Sequence, residues 1–232
     1  IKNSLSIILP TFNEVKSLEY VVNRWHIFLK NQNIDYVFII CEDGSTDGTK
    51  ELIKNMEKKY PIINESSMER RGYGGGVIAG ILRAETDYIL CIDSDGQCMP
   101  DSFPKLWELR EKFDIVMGAR IPRLDPLVRR IYSFLFLTLH KILYGRTVTD
   151  PSCPYIIASN KIFKSLMPKL TYMKEGFWWG CVGAGKMKGY SFGERIIKHY
   201  ERYDGSTVVY KLSKMPSIII RNIIGLIKLR FS

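Results

Sequence analysis

Two acidic residues, Asp93 and Asp95, stand one residue apart directly after the apolar segment Tyr88–Ile92. An apolar segment of this length is typical of a buried strand, so both carboxylates would project from one strand end. Two carboxylates placed in this way can bind one divalent cation, and all-oxygen ligation suits Mg²⁺ or Mn²⁺. The cation would neutralise the charge that develops on a leaving diphosphate. For this triplet alone, a solvated turn that caps the next helix is an alternative interpretation.

Two further polar clusters follow predicted strands. Thr11–Glu14 follows the first apolar segment of the chain, and Glu42–Asp47 follows the second. Ligands collect at the carboxyl ends of the strands in a parallel sheet, so we expect both clusters to lie beside Asp93. Asp43 would then bond the base or the ribose of a nucleotide. Asp47 is expected to cap the helix that follows.

A glycine-rich segment, Arg70–Gly76, combines two cations with four glycines before a predicted helix. Its backbone amides could approach a phosphate closely, or its glycines could let the helix pack tightly on the sheet. The spacing Gly74-x-Gly76-x-x-Ala79 also fits a degenerate dinucleotide-binding fingerprint. That fingerprint requires a strand that runs straight into the first glycine, whereas polar residues 66–71 stand there. We therefore reject the dinucleotide interpretation.

Short apolar segments alternate with segments of helical periodicity, which is typical of parallel strands joined by right-handed crossovers. The strands lack polar alternation, so the sheet is expected to be covered on both faces. We predict an α/β fold in which helices flank a mostly parallel central sheet on both faces and amphipathic helices follow near the C-terminus. The predicted strands are Leu5–Leu9, Tyr36–Cys41, Ile62–Ile63, Tyr88–Ile92, Asp114–Gly118 and Tyr190–Ile196. The predicted helices are Val15–Lys30, Asp47–Lys59, one that ends near Ala84, Asp101–Lys112 and Leu127–Tyr144.

The composition indicates a globular protein with one domain of ordinary to large size. Its 232 residues are 46% hydrophobic and 25% charged, which is enough apolar material for a sizeable core. The formal net charge of +10 is consistent with an anionic partner. Nucleic acid is not the expected partner, because the basic residues are not interleaved with aromatic residues and strand-end carboxylates repel phosphates. The cysteines form no CxxC pair, which argues against a zinc site and fits a reducing compartment.

Two later segments are basic and amphipathic. Leu127–Tyr144 is rich in Leu, Phe and Tyr, and Ser217–Phe231 is rich in Ile and Leu, but each carries basic residues. Neither has the roughly 18 uninterrupted apolar residues that a bilayer-spanning helix needs. Each segment is therefore expected either to lie on a membrane surface or to cover the core with its charges exposed.

The polar clusters together resemble the family 2 glycosyltransferases, which have the GT-A fold. The matching motifs are Ile8–Glu14, Glu42–Thr49, Arg71–Gly74 and Asp93–Gln97. Within this family, the chain is similar to the polyprenyl-phosphate glycosyltransferases, among them the dolichol-phosphate mannose synthases. The narrower resemblance depends on Asp95-Gly96-Gln97, Met117–Arg120 and Arg202–Ser206.

The resemblance implies roles for particular residues. It implies a nucleotide pocket that is lined by Pro10, Thr11, Glu14, Asp43, Gly72 and Gly74. It implies that Asp93 and Asp95 bind the divalent cation, with Gln97 beside the diphosphate. It also implies that Arg120 and Arg202 hold phosphates of the donor or of the acceptor.

The resemblance also implies a reaction, the inverting transfer of sugar from a GDP- or UDP-sugar to a polyprenyl phosphate. The protein would bind peripherally at the cytosolic face of a membrane. A catalytic domain over residues 1–210 would comprise a nucleotide-sugar half, 1–120, and an acceptor half, 121–210, and an amphipathic extension, 211–232, would follow.

Two other activities remain open at this point. If the acceptor is a saccharide hydroxyl, a carboxylate must remove its proton, and Asp150 is the first candidate. A sugar nucleotidyltransferase would need a loop rich in glycine and arginine after the first strand, where this chain has Pro10–Asn13. The second alternative is therefore the less favoured one.

Overall fold

The computed structural model describes residues 4–121, 127–171, 173, 176–204 and 215–231. The strands of this part are β1 Leu5–Thr11, β2 Tyr36–Glu42, β3 Ile62–Asn64, β4 Tyr88–Cys91, β5 Ile115–Arg120, β6 Ile156–Ser159 and β7 Phe192–Ile197. They form one sheet in the order β3-β2-β1-β4-β6-β5-β7. β1 is parallel to both of its neighbours, and β7 is parallel to β5. The mostly parallel sheet is therefore confirmed.

One strand, β6, runs antiparallel between β4 and β5. The mostly parallel sheet that was predicted thus contains one reversed strand, whose direction an apolar tetrapeptide does not signal. The reversal matters for the site. Ile156 at the start of β6 pairs with Cys91 and with Met117, near the carboxyl ends of β4 and β5. The loop that precedes β6 consequently lies at the same edge of the sheet as Asp93.

The α-helices of the described residues are α1 Leu18–Lys30, α2 Thr49–Met56, α3 Gly72–Arg83, α4 Phe103–Trp107, α5 Leu127–Tyr144, α6 Asn160–Leu170, α7 Phe177–Met187 and α8 Met215–Phe231. The helix predicted over Asp101–Lys112 is α-helical only in α4, with 3-10 turns on either side. The strand predicted from Tyr190 begins later because α7 ends in a capping turn. Gly189 there has a φ of +78°, and the Tyr190 amide donates a hydrogen bond to the Gly185 carbonyl oxygen at 3.0 Å.

Helices cover both faces of the sheet, as the apolar strands predict. Leu9 of β1 belongs to a core that it shares with α1, α2 and α4, whereas its neighbour Ile8 belongs to a core shared with α3, α6 and α7. α8 joins the second core through Leu226 and Leu229, which are fully buried. The Tyr144 hydroxyl ties α5 to α8, because it donates a hydrogen bond to the Leu226 carbonyl oxygen at 2.6 Å. The predicted extension is therefore packed on the core wherever the structure describes it.

Candidate active site

The ends of β1, β2 and β4 meet at one edge of the sheet, and we call this edge the rim. Pro10 and Thr11, the last residues of β1, are fixed to the neighbouring loops through their carbonyl oxygens. The Ser94 hydroxyl donates a hydrogen bond to the Pro10 oxygen at 2.8 Å, and the Asp43 amide donates one to the Thr11 oxygen at 3.0 Å. Residues from three separate motifs therefore share the rim.

The two aspartates of the rim differ in their surroundings. Asp95 is only 3% exposed, and its carboxylate accepts a hydrogen bond from the Gln97 amide at 3.0 Å and faces Arg202 Nη2 at 2.9 Å. Asp93 is partly buried, and its Oδ1 accepts a hydrogen bond from the Tyr73 hydroxyl at 2.7 Å. All three predicted residues of this motif thus lie at the rim.

The surroundings of Asp93 disfavour its ionised form. Burial and, next, the charge of Asp95 raise the pKa of Asp93 to about 7, although the Tyr73 hydrogen bond and the charges of Arg120 and Arg202 oppose the shift. Like charges that share a buried site disfavour the ionised form of each other. A bound cation would relieve this repulsion.

The pair fits a divalent cation that a substrate also binds. Mg²⁺ in sites that act on phosphates is usually held by one or two carboxylates together with phosphate oxygens and water. In the part of the chain that the structure describes, no group of three or more His, Cys, Asp or Glu side chains could hold a metal ion. Two carboxylates are what such a site takes from the protein, so Asp93 and Asp95 fit it by residue type.

Arg202 bridges two carboxylates of the rim. Its Nη1 donates a hydrogen bond to Glu14 Oε1 at 3.1 Å, while its Nη2 faces Asp95. Burial raises the pKa of Glu14, and the charge of Asp95 acts in the same direction, whereas the Ser17 hydroxyl and Arg202 lower it. The backbone also fixes Arg202, since the amide of the next residue, Tyr203, donates a hydrogen bond to the Asp95 carbonyl oxygen at 3.1 Å.

Arg120, at the end of β5, is paired with the loop that precedes β6. Its Nε and Nη2 donate hydrogen bonds to the two carboxylate oxygens of Asp150 at 2.7 and 3.0 Å, and Nη2 also donates one to the Ser152 hydroxyl at 2.7 Å. The Glu194 carboxylate holds the loop in place, because it accepts hydrogen bonds from the amides of Thr149 and Asp150. This bidentate contact with Arg120 stabilises the ionised Asp150 carboxylate. It therefore disfavours Asp150 as the base that would remove a proton from a saccharide hydroxyl.

Asp43, at the end of β2, fixes the start of α3. Its carboxylate accepts hydrogen bonds from the backbone amides of Arg71 at 2.6 Å and of Gly72 at 2.9 Å, and Gly72 has a φ of +77°. These two amides belong to the segment that the sequence suggested for phosphate binding. In the structure these two amides bind the Asp43 carboxylate. Asp43 therefore orients the glycine-rich segment, in addition to any contact that it makes with a ligand.

The glycines of α3 allow the helix to lie unusually close to the sheet. Gly74 and Gly76 are buried. A Cβ atom at Gly80 would lie 2.4 Å from Cys41 Sγ and 2.8 Å from Ile8 Cγ2, distances that a real side chain does not adopt. Gly80 lies beyond the glycine-rich segment, and within that segment a Cβ atom at Gly76 would lie at an ordinary 3.8 Å from Cys41 Cβ, so the close packing against the sheet occurs at Gly80 and not at Gly76.

Sequence reasoning missed several residues of the rim. The Trp178 indole N–H donates a hydrogen bond to the Tyr73 hydroxyl at 2.7 Å, and the Arg70 guanidinium lies 3.6 Å from the centroid of the Phe12 ring. A signal for three of these residues was present in the sequence, because recognisable motifs contain Tyr73, Arg70 and Phe12. The pattern around Trp178 indicates only a core or interface residue, and no spacing connects this distant residue with Asp93.

Residues 6–192 match the protein family described as glycosyl transferase family 2. An undecaprenyl-phosphate 4-deoxy-4-formamido-L-arabinose transferase of Yersinia enterocolitica is 28% identical over 152 residues, which are 64% of this chain and 46% of that protein. A dolichol-phosphate mannosyltransferase of Pyrococcus furiosus is 32% identical over 117 residues, which are 50% of this chain and 33% of that protein. The chain thus spans about half the length of these relatives, or less.

Solved structures resemble the chain over nearly its whole length. A glucosyl-3-phosphoglycerate synthase of Mycobacterium tuberculosis, in complex with Mn²⁺, UDP-glucose and phosphoglyceric acid, matches it with a TM-score of 0.70 at 18% identity, over 99% of this chain and 80% of that one. A mannosyl-3-phosphoglycerate synthase of Rubrobacter xylanophilus matches with a TM-score of 0.69 at 13% identity, over 97% of this chain and 73% of that one. At such identities the likeness shows the fold alone, and the predicted GT-A fold is confirmed. The match over residues 6–192, together with this fold, shows that the chain belongs to glycosyltransferase family 2.

Proposed function

We propose that this chain carries out an inverting transfer of sugar from a GDP- or UDP-sugar to a polyprenyl phosphate. The observation that carries the proposal is the meeting of Asp93 and Asp95 with Arg202 at one rim, where Arg202 Nη2 lies 2.9 Å from Asp95 Oδ2, while Arg120 is near enough for its charge to act on Asp93. The names of the relatives supply the acceptor class, since both contain a polyprenyl phosphate or a dolichol phosphate.

The donor would lie along the ends of β1 and β2. In this proposal, Pro10, Thr11, Glu14 and Asp43 line the nucleotide pocket, beside Gly72 and Gly74 at the start of α3. The stacked pair of Phe12 and Arg70 adds a flat surface with a positive charge at the same place. An aromatic ring and a guanidinium both stack well on planar groups, which suits contact with a nucleobase.

Asp93 and Asp95 would hold Mg²⁺ or Mn²⁺, with Gln97 beside the diphosphate. When bound, the cation supplies positive charge against the leaving diphosphate. The chain's own contribution is orientation. Arg202 is held at the rim by the carboxylates of Glu14 and Asp95, so in this proposal its guanidinium would meet phosphate charge with little rearrangement.

A phosphate acceptor needs no strong base, because its oxygen is already ionised before it attacks the anomeric carbon. Catalysis then depends on placing the acceptor opposite the nucleotide and on stabilising charge. The pairing of Asp150 with Arg120 agrees with this mechanism better than with a hydroxyl acceptor, for which Asp150 was the candidate base. In this proposal, Arg120 and Arg202 hold phosphates of the acceptor or donor.

A transfer assay tests the proposal. Labelled GDP- and UDP-sugars are incubated with Mn²⁺ and either a short-chain polyprenyl phosphate or an oligosaccharide, with Asp95→Asn as the inactive control. We expect sugar in the lipid phosphate product from one donor, and none with the control variant. Transfer to the oligosaccharide alone would replace the acceptor proposed here by a saccharide hydroxyl.

We also propose that the protein binds peripherally to the cytosolic face of a membrane through α5 and α8. The sequences of α5 and α8 each contain three Lys or Arg residues and no Asp or Glu. Exposed apolar side chains lie on both helices, and we call this set the α5–α8 surface: Phe134, Leu135, Ile142, Ile220, Ile224, Ile227 and Phe231. No helix within the described residues is long and apolar enough to cross a bilayer. Basic helices with exposed apolar side chains suit anionic headgroups, with about 1 kcal/mol from each basic residue near the surface.

Vesicle binding tests the α5–α8 surface. Ile224→Glu/Ile227→Glu places two carboxylates on exposed positions of α8, and Ile27→Glu places one on an exposed position of α1, on the other side of the sheet. We expect the double variant to bind anionic vesicles about tenfold more weakly than the unchanged protein, and Ile27→Glu to bind normally. Equal binding of all three proteins, or equal binding to neutral and anionic vesicles, would contradict the assignment.

A further inference from the structure

A chain of two hydrogen bonds joins the interior of the protein to Asp93. The Trp178 indole N–H donates to the Tyr73 hydroxyl oxygen at 2.7 Å, and the Tyr73 hydroxyl donates to Asp93 Oδ1 at 2.7 Å. The three residues come from α7, from α3 and from the end of β4. Trp178 is only 5% exposed, so water does not compete strongly for its N–H group.

The direction of this chain follows from the chemistry of its first member. An indole N–H can donate a hydrogen bond but cannot accept one. The Tyr73 oxygen must therefore be the acceptor in its contact with Trp178, which leaves its own proton for Asp93. Asp93 Oδ1 is consequently held by a donor of fixed orientation, and Oδ2 takes no part in this hydrogen bond.

Contacts with neighbouring helices restrain the start of α7, and with it the position of Trp178. The Gly176 amide donates a hydrogen bond to Asn222 Oδ1 of α8 at 2.9 Å. The Trp179 carbonyl oxygen lies 3.1 Å from His140 Nε2 of α5. The ring of Phe177 packs edge-on against Trp178 with 5.0 Å between centroids. Two helices therefore restrain the segment from which the indole reaches Tyr73.

We infer that Tyr73 and Trp178 are positioning residues, which orient the Asp93 carboxylate for a cation shared with the donor diphosphate. The inference rests on the proposed function, because that function places the cation at Asp93 and Asp95. Tyr73 acts on Asp93 directly, and Trp178 acts on it only through the Tyr73 hydroxyl. Groups that hydrogen-bond to metal-binding carboxylates fix their orientation, and loss of one typically weakens metal binding 10- to 100-fold.

Direct measurement of Mn²⁺ binding tests the inference without an activity assay. Free Mn²⁺ is titrated by electron paramagnetic resonance, in the presence of UDP or GDP, for Tyr73→Phe, Trp178→Phe and the double variant. Tyr73→Phe should weaken binding about tenfold or more. Trp178→Phe should weaken it less, because the Tyr73 hydroxyl remains. The double variant should match Tyr73→Phe alone, because the indole has no route to Asp93 without that hydroxyl.

Matched variants separate this role from a general effect on packing. Tyr60→Phe removes a hydroxyl that donates to Asn23 Oδ1 at 3.3 Å, and Trp179→Phe alters the neighbouring tryptophan, which packs against α5. Both should bind Mn²⁺ as the unchanged protein does. Thermal unfolding without Mn²⁺ shows whether each variant is folded, and Trp178→Phe provides an independent test if Tyr73→Phe is unstable.

Three results would overturn the inference. Unchanged Mn²⁺ affinity in Tyr73→Phe removes the role of the hydroxyl. Losses that add in the double variant show that Trp178 acts by packing and not through Tyr73. Normal Mn²⁺ binding by Asp95→Asn, measured in parallel, would remove the proposed cation site and the inference together. A loss in Asp95→Asn with no loss in Tyr73→Phe would overturn the inference alone.

Discussion

The pair of Arg120 and Asp150 gives the sharpest test of how the rim is built. Their side chains are 15% and 4% exposed, and two hydrogen bonds of 2.7 and 3.0 Å join them. Asp150→Asn keeps the size of the side chain but removes the charge opposite a buried guanidinium. Removal of one partner from a buried ion pair costs about 3–5 kcal/mol. The charge of Asp93 also acts on Arg120, so the loss should lie in the lower part of this range.

Urea unfolding at pH 7 measures this loss. For a domain of this size the free energy of unfolding changes by about 2–3 kcal/mol per molar urea, so the midpoint of Asp150→Asn should fall by roughly 1–2 M. The double variant Arg120→Met/Asp150→Leu removes both charges, and it should lie much closer to the unchanged protein. Glu19→Gln is the matched control, because its partner Lys59 is 63% exposed and such a surface pair contributes at most about 1 kcal/mol.

A midpoint for Asp150→Asn that equals that of Glu19→Gln would refute the reasoning. The rim would then tolerate an unpaired Arg120, and the short contacts would carry little free energy. A double variant as unstable as Asp150→Asn would also count against it, because the loss would then come from packing and not from an uncompensated charge.

Three further predictions concern other parts of the molecule. Burial lowers the pKa of His140 from 6.5 to about 4, so the folded protein disfavours the protonated ring. The stability that depends on the neutral ring is complete well above pH 6.5. About 2 kcal/mol of it should be lost between pH 7 and pH 5. Urea unfolding of the unchanged protein and of His140→Asn at both pH values checks this through the difference between the two proteins, because the raised pKa of Asp93 makes an opposing contribution in the same pH range. Asp95→Asn should abolish metal-dependent nucleotide binding, measured by calorimetry, while circular dichroism shows an intact fold. Gly80→Ala should lower the free energy of unfolding by about 1–3 kcal/mol in thermal melts, because its Cβ meets Cys41 and Ile8.

The parts of the fold that depend on hydrophobic pattern could be predicted from the sequence. Segments such as Leu5–Leu9 and Tyr36–Cys41 are apolar throughout, which requires a sheet covered on both faces, and the structure has this sheet. The direction of β6 could not be predicted, since it depends on which edge of β4 and β5 is free when the chain returns. Side-chain pattern does not encode that choice.

The site was predictable to the extent that it depends on strand ends. Asp43, Asp93 and Asp95 follow strands, and parallel pairing alone brings them together. Arg202 was selected through family resemblance, because it follows β7 at the far edge of the sheet and reaches the rim along the backbone of residues 95–97. Trp178 reaches the rim through the packing of α7, and that packing involves α5, α6 and α8. Tertiary contacts of this kind have no local signal.

The charges at the rim explain why cation and donor should bind together. Around Asp93 and Asp95, apart from the ion pairs of Asp43 with Arg70 and Arg71, the rim holds four carboxylates, those of Glu14, Asp93, Asp95 and Asp150, and two guanidiniums, those of Arg120 and Arg202. If all six groups are ionised, the formal charge is four negative minus two positive, or −2. A donor diphosphate adds further negative charge, so it meets repulsion unless a cation enters with it. One divalent cation would balance the formal charge of these protein groups, so that the two arginines could meet phosphate while they stay paired with their carboxylates. Under the proposed function, the donor and the cation would therefore bind as a single ligand, near Arg202.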